Sequence, residues 1–349
     1  MKRYDVVVAG AGVAGAAAAV AAARRGMRAA LLEKTLLTGG LAAAGNINIY
    51  LPLCDGNGTQ VSFGITEEML RKSIQYGPGN PPAGWGGMPG ERSGRYMVSF
   101  APASFTLALD EMLEDAGVEL WLDTVVTGVR RDGRRVVSAE VFNKSGRVEI
   151  GAGSFIDATG DADLAVAAQV PWHPGGNAMA CWIFEYCKGK GELVEHCRTA
   201  PRGFADDPES YHAGLFEDAD EFDGINGRMV SEFVMGGRRS YRREFAAGLA
   251  AGTWKRDERF PLCLPTVPDL RHTRAIDGRV ALAPGMDWRR CDDSVGLIAD
   301  WRKAGSVWEV PYGTLLAGGV DNLLAVGRCA AAVGDAWEVL RVIPAAALI

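Results

Sequence analysis

The stretch that most constrains the fold is residues 4–33, YDVVVAGAGVAGAAAAVAAARRGMRAALLE. Val6, Val7, Val8 and Ala9 form a short apolar run of the kind that makes a fully buried strand. Gly10, Gly12 and Gly15 follow in G-x-G-x-x-G spacing, then an alanine-rich helix to about Arg25, ended by Gly26. Residues 28–32 read as a second strand, closed by Glu33. Strand, glycine turn, helix, strand and terminal acid form a dinucleotide-binding βαβ unit. Gly10 permits the tight turn, Gly12 lets the backbone approach a diphosphate, and Gly15 lets helix and strand pack closely. Ala14 lies in the same turn. The unpaired N–H groups and partial positive charge of the helix start favour an anion. Glu33 stands where a carboxylate accepts ribose hydroxyls and repels a 2′-phosphate. Lys2 and Arg3 before an apolar stretch resemble a signal peptide, but Asp5 interrupts the apolar run and cleavage would remove the motif.

The chain has 349 residues, enough for two domains, with 48% hydrophobic and 23% charged residues. A net charge of −6 gives no support for nucleic-acid or membrane-surface binding. No apolar run approaches the ~20 residues of a membrane span. The seven cysteines form no C-x-x-C pair and no zinc spacing with the four histidines. Reduced thiols in a cytoplasmic protein without a metal are therefore expected.

Further along, residues 34–40 lead into Gly45 and Asn46, a loop whose small residues, Gly40 among them, allow another body to approach the backbone. A helix is expected over about 66–76, and residues 77–94 are a Pro/Gly-rich surface loop. Pro102 opens a helix to Ala116, closed by Gly117. Strands at 118–122, 125–130, 136–142 and 148–150, with turns at 131–133 and 144–146, predict a three-stranded antiparallel meander. Residues 154–158 return as a separate buried strand, followed by Thr159-Gly160-Asp161 and a helix from Ala162 to about Ala168.

This order, ending in Ala158-Thr159-Gly160-Asp161, resembles the FAD-dependent oxidoreductases with the glutathione-reductase-type FAD-binding fold. The resemblance implies an α/β protein: a Rossmann-like FAD-binding domain with a three-stranded meander and an inserted mixed α/β substrate domain. The domains are then 1–169, a cap at 170–264, and a return at 265–349. It further implies that Val126 meets the adenine, that the 158–161 turn approaches the dinucleotide from the other side, and that Lys34, Gly327, Arg328 and Asp335 also line FAD. In the family, a segment like residues 341–348 continues into a Gly/Ala-rich helix aimed at the flavin pyrimidine. The sequence stops at Ile349, so the FAD-binding fold reads as C-terminally incomplete.

A second dinucleotide fingerprint and a redox-active cysteine pair are absent from the sequence, so electrons pass between flavin and a bound substrate, oxygen, or NAD(P)H at a site without the fingerprint. Arg271, His272 and Arg274 are the candidate catalytic group: arginine suits a carboxylate and histidine moves a proton near neutral pH. A surface ion-pair cluster with Asp292 or Asp293 is the alternative. Arg341 either faces the flavin or pairs with Glu338 at helical spacing. His173 is read as structural, and Trp182, Phe184 and Tyr186 as one face of a strand, more often core than a ring platform. Cys54 and Cys329 could approach the flavin, but burial without reactivity is the simpler role. The acidic 206–223 and basic 238–243 runs are read as solvated faces. The function expected is hydride transfer between flavin N5 and a small organic substrate, a carboxylate among the candidates, with a homo-oligomer left open. The competing readings are a flavin-fold protein without redox activity and an NAD-binding dehydrogenase.

Overall fold

The computed structural model describes residues 1–81, 97–177, 179–188, 192–200 and 223–349. Most of the Pro/Gly-rich loop at 77–94 and nearly all of the acidic run at 206–223 lie outside the described residues. The chain divides into two compact units. The first comprises Met1–Ala43, Asn48–His173 and Arg274–Ile349; the second comprises Ala44–Ile47 and Pro174–Thr273.

The first unit is built on a seven-stranded sheet. Strand β1 (Lys2–Ala9) runs parallel to β2 (Ala29–Leu32), and β2 to Glu119–Trp121. Its apolar end, Val7 to Ala9, has no exposed surface, as a continuous apolar run bordered by parallel strands requires. Helix α1 (Val13–Ala23) joins β1 to β2 and buries Val13, Ala14, Gly15, Ala16, Ala17, Ala19 and Val20. Alanine on nearly every face lets sheet and neighbouring helices approach closely from several sides. Helix Pro102–Ala116 begins with proline in its first turn and ends at Gly117 with φ 74°, as its terminal residues prescribe.

The other side of β1 corrects the sequence reading. The third meander strand and the buried return strand, expected as two, are one continuous strand, Gly146–Asp157, parallel to β1 from Ile150 to Asp157. Its first half pairs antiparallel with Arg135–Asn143, which pairs with Val125–Asp132 to complete the meander. Its last residues carry Leu323–Ala325 on the same edge. Gly151 and Gly153 lie between the two expected strands, and neighbouring strands of the sheet leave little room for a side chain at either. A Cβ on Gly151 would stand 3.3 Å from both Met1 Sδ and the Val137 carbonyl oxygen. One on Gly153 would stand 3.3 Å from the Asp5 carbonyl oxygen.

In the second unit, Met179–Cys187 is the middle of a three-stranded antiparallel sheet between Glu192–Ala200 and Arg259–Cys263. Of residues 181–187, Cys181, Ile183 and Glu185 are buried, with Trp182, Phe184 and Tyr186 only half-buried. The face expected to be core is thus the more open one. The reason is Glu185, which has no exposed surface yet is fully engaged. It accepts the Tyr241 hydroxyl at 2.7 Å and two N–H groups of Arg259 at 2.7 and 3.0 Å. The Arg259 guanidinium in turn lies 3.5 Å from the Trp254 ring centre. Helix Gly227–Ala250 supplies Tyr241 and is capped by the Asn226 side chain, which accepts the N–H groups of Arg228 and Met229. The basic 238–243 run lies on this helix, with Arg239, Arg242 and Arg243 exposed and Arg238 half-buried. Among the described residues no helix is long and apolar enough to cross a membrane.

Candidate functional site

The start of α1 is assembled from three loops of the first unit. Gly10 has φ 96°, and a Cβ there would lie 2.5 Å from the Ala158 carbonyl oxygen. A Cβ on Gly15 would collide with the Gly10 carbonyl oxygen. These two glycines are required by the fold itself. Gly12 differs. It caps α1 in extended geometry, φ −67° and ψ −178°, and a Cβ there would meet nothing nearer than the Gly40 Cα at 3.9 Å. No side chain caps the helix, so its opening N–H groups face a space that glycine leaves clear.

The loop after β2 closes on the same point. Gly39 donates its N–H to the Ala11 carbonyl at 2.8 Å, and a Cβ on Gly40 would lie 2.9 Å from the Gly12 Cα. The small residues of this loop therefore admit the protein's own glycine turn. Glu33 is buried and its carboxylate accepts N–H groups from Ala11 and Thr35, each at 2.8 Å. A carboxylate has about four acceptor positions, so capacity remains beyond these two.

The turn after Asp157 approaches from the opposite side. Arg328 donates to the Gly160 carbonyl at 2.8 Å and to Asp161 Oδ1 at 2.5 Å, and Lys34 Nζ lies 3.6 Å from Asp161 Oδ2. Arg274 donates to the Asp161 carbonyl at 3.0 Å and to Asp163 Oδ1 at 3.2 Å, with its guanidinium 5.3 Å from the Trp172 ring centre. Burial, with the neighbouring Asp161 charge, raises the Asp163 carboxyl above its ordinary range. A Cβ on Gly327 would lie 2.9 Å from the Ala14 Cβ, so the Gly327-Arg328 corner packs on α1. Gly10, Gly12, Ala14, Gly15, Glu33, Lys34, Gly40, the 158–161 turn, Gly327 and Arg328 are thus tied together within one unit.

Other candidates stand apart from this network. Val126 is on the outer meander strand, opposite Val141. Asp335 opens the short helix Asp335–Leu340 and pairs with Arg302 at 3.2 Å. Arg341 pairs with Glu338, as its helical spacing allows. Arg271 and His272 belong to the second unit and Arg274 to the first. The ionic partner of Arg274 is Asp163 rather than Asp292 or Asp293. Asn177 Oδ1 accepts the backbone N–H groups of Arg271 and His272 at 2.6 and 2.9 Å, fixing their turn. His272 Nδ1 lies 3.0 Å from the Gly176 carbonyl oxygen. A carbonyl can only accept, so Nδ1 carries the proton and Nε2 is the basic nitrogen of the neutral ring.

His173 is held at both nitrogens, by Asp277 at 3.0 Å and the Ala332 carbonyl oxygen at 3.0 Å. Cys54 and Cys329 are buried, and burial beside Asp157 raises the Cys329 thiol well above its usual range. Two acids were missed by sequence reasoning. Asp157 underlies the 158–161 turn, and its only visible sign is its position before Ala-Thr-Gly-Asp. Asp269, 3% exposed, accepts the Trp182 N–H at 3.1 Å, while Asn46 donates to the Trp182 carbonyl at 3.1 Å. These two side chains close the sheet edge at Trp182, and burial pushes the Asp269 carboxyl up to about 8.

Residues 5–182, just over half the chain, match the FAD dependent oxidoreductase family, and the chain belongs to it. It is a flavoprotein enzyme of the FAD-dependent class. The fold is similar to that of the p-nitrophenol 4-monooxygenase PnpA from Pseudomonas putida DLL-E4, at 14% identity and TM-score 0.53, with 96% of this chain and 74% of that one covered. It is similar also to BexE, described for oxidation during BE-7585A biosynthesis, at 14% identity and TM-score 0.51. That comparison covers 94% of this chain and 56% of BexE, so the chain spans little more than half of BexE's length. At these identities the likeness is one of fold. No curated protein matches the sequence significantly.

Proposed function

We propose that FAD lies with its diphosphate on the opening turn of α1 and that the protein uses it to oxidise or reduce a small organic substrate by hydride transfer. The observation that carries this reading is Gly12: an uncapped helix start, with a clear space where any other residue would place a Cβ. The backbone of Gly12 and Ala14 would hold the diphosphate, and the remaining acceptor capacity of Glu33 would take the ribose hydroxyls. Val126 would meet the adenine. The 158–161 turn, Gly40 and the Gly327-Arg328 corner would enclose the cofactor, with Lys34 and Arg328 balancing Asp161. When bound, the flavin supplies the hydride acceptor or donor at N5.

The chain's own residues then bind substrate and move its proton. Arg271 would hold a carboxylate through parallel N–H donors. His272 Nε2, made the basic nitrogen by the Nδ1 contact with Gly176, would take or return the proton. The test is absorption spectroscopy of purified protein titrated with FAD, followed by anaerobic addition of small carboxylic acids. Bound-flavin bands at about 375 and 450 nm, with bleaching of the second by a substrate, are expected. Tight NAD binding without flavin would overturn the reading in favour of a dehydrogenase. A flavin-bound protein that no reductant or substrate bleaches would leave a binding protein without redox activity.

A further inference from the structure

Asp157 ends the strand Gly146–Asp157 and has no exposed surface, yet each carboxylate oxygen is used. Oδ1 accepts the Thr159 N–H at 3.0 Å and the Thr159 hydroxyl at 2.7 Å. Oδ2 accepts the Ala165 N–H at 2.7 Å, at the start of the helix Asp163–Ala167. The Thr159 hydroxyl oxygen then accepts the N–H groups of Asp161 at 3.3 Å and Asp163 at 3.0 Å. One carboxylate thus orders both ends of the turn and, through one hydroxyl, the two acids that engage Arg328, Lys34 and Arg274. The same turn presents the Ala158 carbonyl against Gly10. The Asp157 main chain joins β1 at Ala9 and the strand Leu323–Ala325.

We propose that Asp157 is a positioning residue for FAD: its carboxylate holds the 158–163 turn closed on the glycine loop, with Thr159 as the relay. The proposal rests on the FAD reading above and adds to it a residue that need not touch the cofactor. The titratable groups acting on the carboxylate are Cys329, whose Sγ lies 4.0 Å from Oδ1, and Asp163, whose charge also raises its pKa. Burial pushes Asp157 up to about 6, partly offset by the Ala165 and Thr159 donors. A protonated Asp157 would present its own proton in a cage of donors, so the ordered turn uses the ionised form.

The experiment measures the Kd for FAD and the melting temperature of the FAD-free protein between pH 5 and 8, for wild type, Asp157→Asn, Thr159→Val and Thr159→Ser. Wild type should bind FAD more weakly below about pH 6, following the Asp157 titration. Asp157→Asn should raise Kd at least tenfold at pH 7.5 and abolish that step. Thr159→Val should raise Kd several-fold, and Thr159→Ser should restore most of the loss because it keeps the hydroxyl. Should Asp157→Asn not fold, the Val and Ser pair decides: equal affinities for the two overturn the proposal. A folded Asp157→Asn protein with wild-type Kd at every pH also overturns it. Wild-type protein that binds no FAD at any pH refutes the underlying cofactor reading, and the proposal with it.

Discussion

Replacing Gly12 with alanine separates what the fold requires from what the cofactor requires. The residue already has extended backbone geometry that any amino acid adopts, and the added methyl group would meet only the Gly40 Cα at 3.9 Å. Two small effects oppose each other. Reduced freedom of the unfolded chain stabilises by about 0.4–1 kcal/mol, and alanine is worse than glycine as a helix N-cap by roughly 0.5–1 kcal/mol. The FAD-free protein should therefore keep its stability to within roughly 0.5 kcal/mol. The same methyl group stands at the uncapped helix start and would push a diphosphate off its N–H donors. Loss of one hydrogen bond to a charged group, about 1.5–3 kcal/mol, weakens FAD binding about 10- to 150-fold. Gly10→Ala is the control. Its φ of 96° and a methyl group 2.5 Å from the Ala158 carbonyl oxygen should cost roughly 2–5 kcal/mol of folding stability. Urea unfolding of FAD-free protein and a fluorescence titration with FAD read the two quantities separately. Wild-type FAD affinity in a folded Gly12→Ala protein would refute the reasoning, as would unfolding of that variant.

Three further outcomes follow from the geometry. Glu33→Gln places an amide donor against the Ala11 or Thr35 N–H and should destabilise by about 1–3 kcal/mol in urea melts, besides weakening FAD. Arg259→Ala strands the buried Glu185 charge and should cost about 3–5 kcal/mol, read as loss of the second unit's helical signal at lower urea, with Tyr241→Phe milder at about 1 kcal/mol. Asp269 has its folded pKa raised from 3.8 to about 8, so the native state binds its proton more tightly than the unfolded chain. Its contribution is fully present below about pH 4 and is lost as pH rises through 8, by at most about 1.4 kcal/mol per pH unit. Asp269→Asn should flatten the decline in urea midpoint across that window, and an unchanged pH profile would contradict the burial argument.

What the sequence disclosed and what it hid divide along one physical line. The βαβ start was legible because glycine spacing, apolar runs and helix-ending residues act locally, and the structure keeps them nearly residue for residue from β1 to β2. Helix Pro102–Ala116 was legible for the same reason, since both ends carry their own stop signals. The continuous strand Gly146–Asp157 was not. Gly151 and Gly153 lie between the two expected strands, and the neighbours that leave little room there, Met1, Val137 and Asp5, are distant in sequence. The inner face of Met179–Cys187 was hidden likewise, because a glutamate enters a core only when partners such as Tyr241 and Arg259 arrive from elsewhere. Within the candidate site, Gly10, Gly12 and Gly15 were visible as a motif. Asp157 was not, since its role depends on the turn folding back over it to deliver the Thr159 and Ala165 donors.

The most direct test of the central claim is a crystal structure of the protein grown with excess FAD. Diphosphate oxygens within hydrogen-bonding distance of the first N–H groups of α1, with a ribose hydroxyl on Glu33, are the predicted result. FAD bound elsewhere, or absent while the protein's own atoms fill the space beside Gly12, would contradict it.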